Sequence, residues 1–143
     1  MVRIAVIDGQ GAGIGSAIIR KIQQAYGAKV EVWALGTNAT ATVQMMRAGA
    51  NKGATGESAV CRCAYQVDVI IGPISILISN AMMGEVTPAM AMAIGNSKAV
   101  KLLLPLTTEP VTVVGVVPDP LPHLVDKLIT EQLSGVIRRK EEL

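Results

Sequence analysis

VRIAVIDGQGAGIGSAIIRKI, residues 2–22, passes from an apolar strand through four glycines at alternate positions, Gly9, Gly11, Gly13 and Gly15, into an amphipathic helix. Arg3 to Asp8 reads as a buried strand, and Ile14, Ile18 and Ile22 recur at four-residue spacing on a helix from Gly13 to Tyr26. Gly27 closes that helix as a C-cap. The bare positions let the chain turn sharply and let a ligand approach the peptide groups without meeting a Cβ. The unpaired N–H groups of the first helical turn, with the positive end of the helix dipole behind them, suit a phosphate or another anion.

Outward from this unit, strand and helix signals alternate. Val30 to Leu35 is a second strand, and Gly36-Thr37-Asn38 turns out of it, with Asn38 as N-cap of a helix to Ala48. Asn51 to Thr55 is a short third strand, followed by a helix from Glu57 to Gln66 and a fourth strand from Val67 to Gly72. Ser75 to Met83 reads as a short buried helix, and Thr87-Pro88 starts another that ends at Gly95. Val100 to Leu106 and Val111 to Val117 read as strands joined by Thr107 to Pro110. A parallel crossover needs about 12 residues or more, so that link predicts an antiparallel hairpin. Asp119-Pro120 opens a last helix with Leu121, Leu124, Val125, Leu128, Ile129, Val136 and Ile137 in one stripe.

The resulting expectation is a single α/β domain over residues 1–143, a Rossmann-like three-layer sandwich whose mostly parallel sheet ends in a C-terminal antiparallel hairpin edge. In such sheets the ligand lies outside the carboxyl ends of the strands, where strand order reverses. The binding candidates are therefore Asp8, Gly9, Gln10, Gly11, Ala12, Gly13, Ile14 and Gly15 at the first strand end, and Gly36, Thr37 and Asn38 at the second. Thr55, Gly56 and Glu57 at the third end and Gly72, Pro73 and Ile74 at the fourth complete the rim. Glu57 serves equally well as a first-turn acid complementing a helix dipole.

Composition excludes several classes. The longest apolar stretch, Val67 to Ser79, is broken by Asp68, Gly72 and Pro73 and falls short of the ~20 residues of a spanning helix. The start lacks the basic head and long apolar core of a signal peptide, which leaves a cytoplasmic protein with no membrane association as the expectation. A net charge of +2, and Tyr26, Trp33 and Tyr65 as the only aromatics, argue against a nucleic-acid surface. Abundant Met and Ala with few charges leave apolar surface to cover, which points to a homo-oligomer. Cys61 and Cys63 would stand about 200° apart on a helix and read as ordinary reduced thiols, with too few ligands anywhere for a metal. His123 reads as a surface residue at a helix start; Asn80 and Glu85 brace the loop or meet a neighbouring subunit; the methionines are packing. No catalytic set can be assembled, so the catalytic residues stay unknown and any chemistry would reside in a cofactor.

The spacing Gly9-x-x-x-Gly13-x-Gly15 in GQGAGIG is similar to the glycine loop of short-chain dehydrogenases, and DVIIG falls where that family carries Asn-Asn-Ala-Gly. That resemblance implies NAD(P) as a cofactor. Two departures stand against it: the family's Tyr-x-x-x-Lys is missing, and no acid ends the second strand to hold a ribose. Thr37 and Asn38 there suit a 2′-phosphate or a different sugar. Asp8 would repel a phosphate at ~4 Å by about 4 kcal/mol at an effective dielectric near 20. It therefore either accepts N–H bonds from the loop or serves a ligand held otherwise than as a pyrophosphate, through a ribose hydroxyl or a Mg²⁺ ion. Over Val2 to about Leu128, the segments IDGQGAGIG, ALGTNA, AGANKGATGE, DVIIGPI and GEVTPAMAMAIG resemble a small bacterial family of short stand-alone Rossmann-like proteins classed as a domain of unknown function. That family implies the fold and supplies no activity. The leading expectation is a nucleotide- or dinucleotide-binding protein with NAD(P) as first candidate. The alternative is a non-catalytic metabolite sensor or homo-oligomeric assembly subunit whose loop binds another anion or is structural.

Overall fold

The structure is a computed structural model that describes residues 1–142. Its chain order is β1 (Val2–Asp8), α1 (Gly13–Tyr26), β2 (Val30–Gly36), α2 (Ala39–Arg47), β3 (Lys52–Thr55), α3 (Glu57–Cys63) and β4 (Val69–Pro73). Then follow α4 (Pro88–Asn96), β5 (Val100–Leu104), α5 (Leu121–Lys127) and α6 (Ser134–Glu141). The five strands form one sheet in the order β3-β2-β1-β4-β5, with every neighbouring pair parallel.

The two-residue alternation of β1 explains the layers. Val2, Ile4 and Val6 face one helical layer, packing with Ile18, Ile19 and Ile22 of α1, Met45 of α2 and Val125 of α5. Ala5 and Ile7 face the other, with Val60 of α3 and Met90 and Ile94 of α4. A strand buried on both faces has no polar side to show, which is why it reads as a continuous apolar run. The caps agree with the sequence: Asn38 accepts the Ala41 N–H, and Thr87 accepts the Met90 N–H ahead of Pro88 at the start of α4.

Three expectations need correction. The C-terminal hairpin is absent among the described residues: β5 pairs parallel with β4, and residues 111–117 form no strand and lie exposed. The crossover into β5 is α4, so the short link after it carries no information about sheet direction. Pro105 and Pro110 bracket that link and cannot donate ladder hydrogen bonds. Ser75 to Met83 forms no helix beyond a 3₁₀ turn over Ile74–Leu77 and then a run of turns, because Asn80, Met82 and Met83 adopt left-handed φ of 68°, 58° and 58°. The last helix is interrupted by a π segment over Leu128–Leu133. The wider turn keeps Val125, Ile129, Leu133 and Ile137, each four residues apart, in the core.

β1 and β4 approach so closely that a Cβ on Gly72 would fall on the carbonyl oxygen of Ile7. Gly72→Ala should therefore destabilise the fold by roughly 1–3 kcal/mol, read as a lower urea midpoint at unchanged m-value.

Candidate functional site

In the order β3-β2-β1-β4-β5 the sheet is built outward from β1 in both directions, so the reversal lies between β1 and β4. A cavity of about 490 Å³ opens there. One side is the loop from Asp8 to Ile14; Pro73, the last residue of β4, and Ser75 just beyond it stand on another. Met82 closes one flank, and Leu106, Thr107 and Thr108, which leave β5, form the far wall with Leu121.

Of the roles open to Asp8, the structure shows the bracing of the loop. Its carboxylate is buried and accepts the Gly9 N–H at 2.8 Å and the Gly15 N–H at 2.7 Å, bracing both ends of the loop. Gly15 is required by this contact, since a Cβ there would lie 3.0 Å from the Asp8 Cβ and 2.7 Å from Met45 Sδ. Burial pushes the Asp8 carboxyl above its ordinary value; the bonds from Gly15 and Gly9 pull it down, and nearby Glu85 pushes it up again. The net upward shift means that burial outweighs the two bonds.

The loop's glycines are not where its backbone demands them. The left-handed positions are Gln10 (φ 49°) and Ala12 (φ 55°), conformations costing roughly 1–2 kcal/mol each for a residue with a Cβ. Gly11 and Gly13 lie outside that region, and a Cβ on either would meet nothing within 4 Å. Donors follow the same division. The Gly9, Gln10, Ala12 and Gly15 N–H groups are bonded within the protein. Those of Gly11, Gly13 and Ile14 have no protein partner among the described residues. Three residues that line the cavity thus carry unbonded N–H groups, and two of them are glycines on which a Cβ would have room.

The remaining rim residues divide between the cavity and the scaffold. Pro73 lines the cavity; Gly72 is consumed by the β1–β4 approach, and Ile74 begins the 3₁₀ turn. Gly36 is packed against Thr42, and its carbonyl accepts the Gly56 N–H. Thr55 shares a 2.7 Å hydrogen bond with Thr42, and Glu57 accepts one at 2.6 Å from the Thr87 hydroxyl, tying α3 to the start of α4. The third strand end therefore belongs to the scaffold.

Thr37 and Asn38 meet a carboxylate that the sequence places 47 or more positions away. Glu85 Oε1 accepts from the Gln10 N–H at 2.8 Å, the Thr37 hydroxyl at 2.7 Å and the Asn38 amide at 2.8 Å. Partial burial pushes Glu85 up, but the bonds from Gln10, Thr37 and Asn38 outweigh it and hold the group below its ordinary value. Of the two roles expected for Glu85, bracing the loop is the one seen. Ser75, Met82, Leu106, Thr107, Thr108 and Leu121 were outside the expected site, because only the return of the chain after β4 and β5 brings them over the loop.

His123 is exposed at the start of α5 and bonds to Asp119 at 3.1 Å. Cys61 and Cys63 are free, and burial pushes both thiols up. Among the described residues no group of three or more His, Cys, Asp or Glu could hold a metal, and no helix is long and apolar enough to cross a membrane.

A parallel sheet in this order, with a glycine loop and cavity at the reversal, defines a Rossmann-like α/β domain. The chain belongs to the family described as domain of unknown function DUF3842, whose model matches residues 3–136. No curated protein matches it. Among solved structures it is similar to a universal stress protein in complex with cAMP, at 17% identity and a TM-score of 0.41, covering 73% of this chain and 98% of that one. It is also similar to a dodecameric FMN-dependent UbiX-like decarboxylase from Escherichia coli O157:H7, at 15% identity and a TM-score of 0.46, covering 94% and 93%. At such scores neither carries an argument, and the class rests on the strand order.

An acid held above its ordinary value stabilises the fold most while protonated. Its contribution is fully present below about pH 3.9 and is lost as pH rises through the raised folded value. The unfolding free energy of the natural chain minus that of Asp8→Asn should therefore fall from about pH 4 to pH 7 in urea denaturation. A difference that rises with pH would show the loop bonds outweighing burial.

Proposed function

We propose that the cavity at the β1–β4 reversal binds a nucleotide-class ligand by its phosphate, held on the N–H groups of Gly11, Gly13 and Ile14. The observation that carries this reading is the placement of Gly11 and Gly13: neither φ nor packing requires glycine there, while both line the cavity and carry an N–H with no protein partner among the described residues. Glycine costs roughly 0.5–1 kcal/mol relative to alanine in ordered structure, so two glycines without a scaffold role point to something that approaches the loop. The volume of about 490 Å³ falls within the range of roughly 300–1,000 Å³ of small-ligand sites. Ile14, Met82, Leu106 and Leu121 offer apolar surface to a ring, and Ser75, Thr107 and Thr108 offer hydroxyls to a sugar. NAD(P) is the candidate that the dehydrogenase-like spacing brings forward; the loop fits its phosphates, while the tip of β2 is already filled by Glu85. Asp8 is the one acidic side chain on the cavity wall, so binding is the primary function and any reaction would depend on the bound group.

The test is calorimetric or thermal-shift titration with nucleotides, including cAMP and FMN, on the natural chain and on Gly13→Asp. A side chain at 13 has room and an acid suits the first helical turn, so the variant should fold. Its charge should weaken phosphate binding at least tenfold, given about 4 kcal/mol of repulsion at ~4 Å. Binding unaffected by Gly13→Asp would remove the loop from the site.

A second reading, a homo-oligomeric assembly, is favoured by the valines of residues 111–117, where Val114 is 94% and Val117 78% exposed. Sedimentation equilibrium should find a species heavier than the 14.9 kDa chain, and Val114→Lys with Val117→Lys should return it to the monomer.

A further inference from the structure

We infer that Met82 and Glu85 set the length of ligand the site accepts: a single nucleotide fits, and a dinucleotide is excluded. This rests on the proposed phosphate site and names the ligand class it serves. In an open sheet of this kind a dinucleotide crosses the reversal, with one half over β4 and the other over the tip of β2. Here the β2 half is built over. A Cβ on Gly9 would lie 2.7 Å from Met82 Sδ and 2.9 Å from Glu85 Oε1, so both side chains sit directly on the loop's first glycine.

Glu85 also uses the donors a second phosphate would need. Its Oε1 holds the Gln10 N–H, the Thr37 hydroxyl and the Asn38 amide at 2.7–2.8 Å. Asn38 has nothing left to offer, because its Oδ1 caps α2 at Ala41 and its amide also reaches the Gln10 carbonyl. An ionised carboxylate in that position repels a 2′-phosphate or a second phosphate, and the Gln10, Thr37 and Asn38 donors it occupies are closed to either.

The wall is anchored. Ala81 and Val86 are buried on either side of it, the Val86 N–H bonds to the Ala81 carbonyl at 3.1 Å, and the Asn80 N–H bonds to the Val86 carbonyl at 2.7 Å. The Met82 N–H is held by Glu109 Oε1 at 3.1 Å. The cavity on the β4 side lies outside this closure, bounded by Met82 and lined by Gly11, Gly13 and Ile14, whose N–H groups have no protein partner among the described residues.

The experiment titrates AMP, GMP, UMP and FMN against NAD⁺, NADP⁺ and FAD by calorimetry, on the natural chain, on Glu85→Ala and on Met82→Ala. The natural chain should bind its best mononucleotide at least roughly tenfold tighter than any dinucleotide, a gap of about 1.4 kcal/mol. In Glu85→Ala that ratio should shrink at least tenfold. Met82→Ala, which only shortens a side chain, should shrink it in the same direction and serves if Glu85→Ala does not fold. A natural chain that binds a dinucleotide as tightly as its best mononucleotide overturns the inference and leaves the phosphate site standing. A ratio unchanged in both variants overturns the role of Met82 and Glu85. Binding of no compound from either group overturns the proposed function itself.

Discussion

The Asp8 carboxylate, accepting the Gly9 and Gly15 N–H groups, is the constraint on which the site depends. It fastens the end of β1 to the first turn of α1 across the six residues that separate Asp8 from Gly15. With both ends held, Gln10 and Ala12 adopt left-handed conformations, and the Gly11, Gly13 and Ile14 N–H groups have no protein partner among the described residues. An ordinary N-cap would satisfy donors of the first turn from the residue just before the helix. Ala12 has no side chain to do so, and the capping role passes back to Asp8. Burial raises the carboxyl, so the loop's shape is held at an electrostatic cost.

The fold was legible wherever one element decided its own structure. The continuous apolar run of β1, the four-residue isoleucine spacing of α1 and the Asn38 and Thr87-Pro88 starts are local signals, and each is realised. Errors came where structure depends on what an element packs against. Residues 111–117 have the composition of a strand, but the edge of β5 is flanked by prolines and the segment runs free of the sheet. Ser75 to Met83 has the hydrophobicity of a buried helix, but its polar groups bond to Val86 and Glu109 in a turn.

The site was legible in part for the same reason. The loop from Asp8 to Ile14 and Pro73 follow from strand ends, and they line the cavity. Thr55, Gly56 and Glu57 met the same rule but stand beyond β2, two strands from the reversal, where Thr55 bonds to Thr42 of α2, Gly56 to the Gly36 carbonyl and Glu57 to Thr87 at the start of α4. The sequence shows no acid after β2, yet the structure supplies one there: Glu85 arrives from 48 residues beyond Thr37. Nothing in the local pattern of either segment encodes that meeting, which needs the β4–α4 connection to fold back over β1 and β2.

That meeting separates two properties of the pocket in the gene. The donors that would grip an anion lie within Gly11 to Ile14, while the wall that limits reach lies in a turn some 70 positions later. Changes at Met82 can lengthen or shorten the groove while Glu85 keeps its bond to the Gln10 N–H, and changes in the loop leave the wall's anchors at Ala81 and Val86 in place. Under the proposed function, reach can thus vary at Met82 while the loop stays as it is, so one scaffold serves ligands of different size.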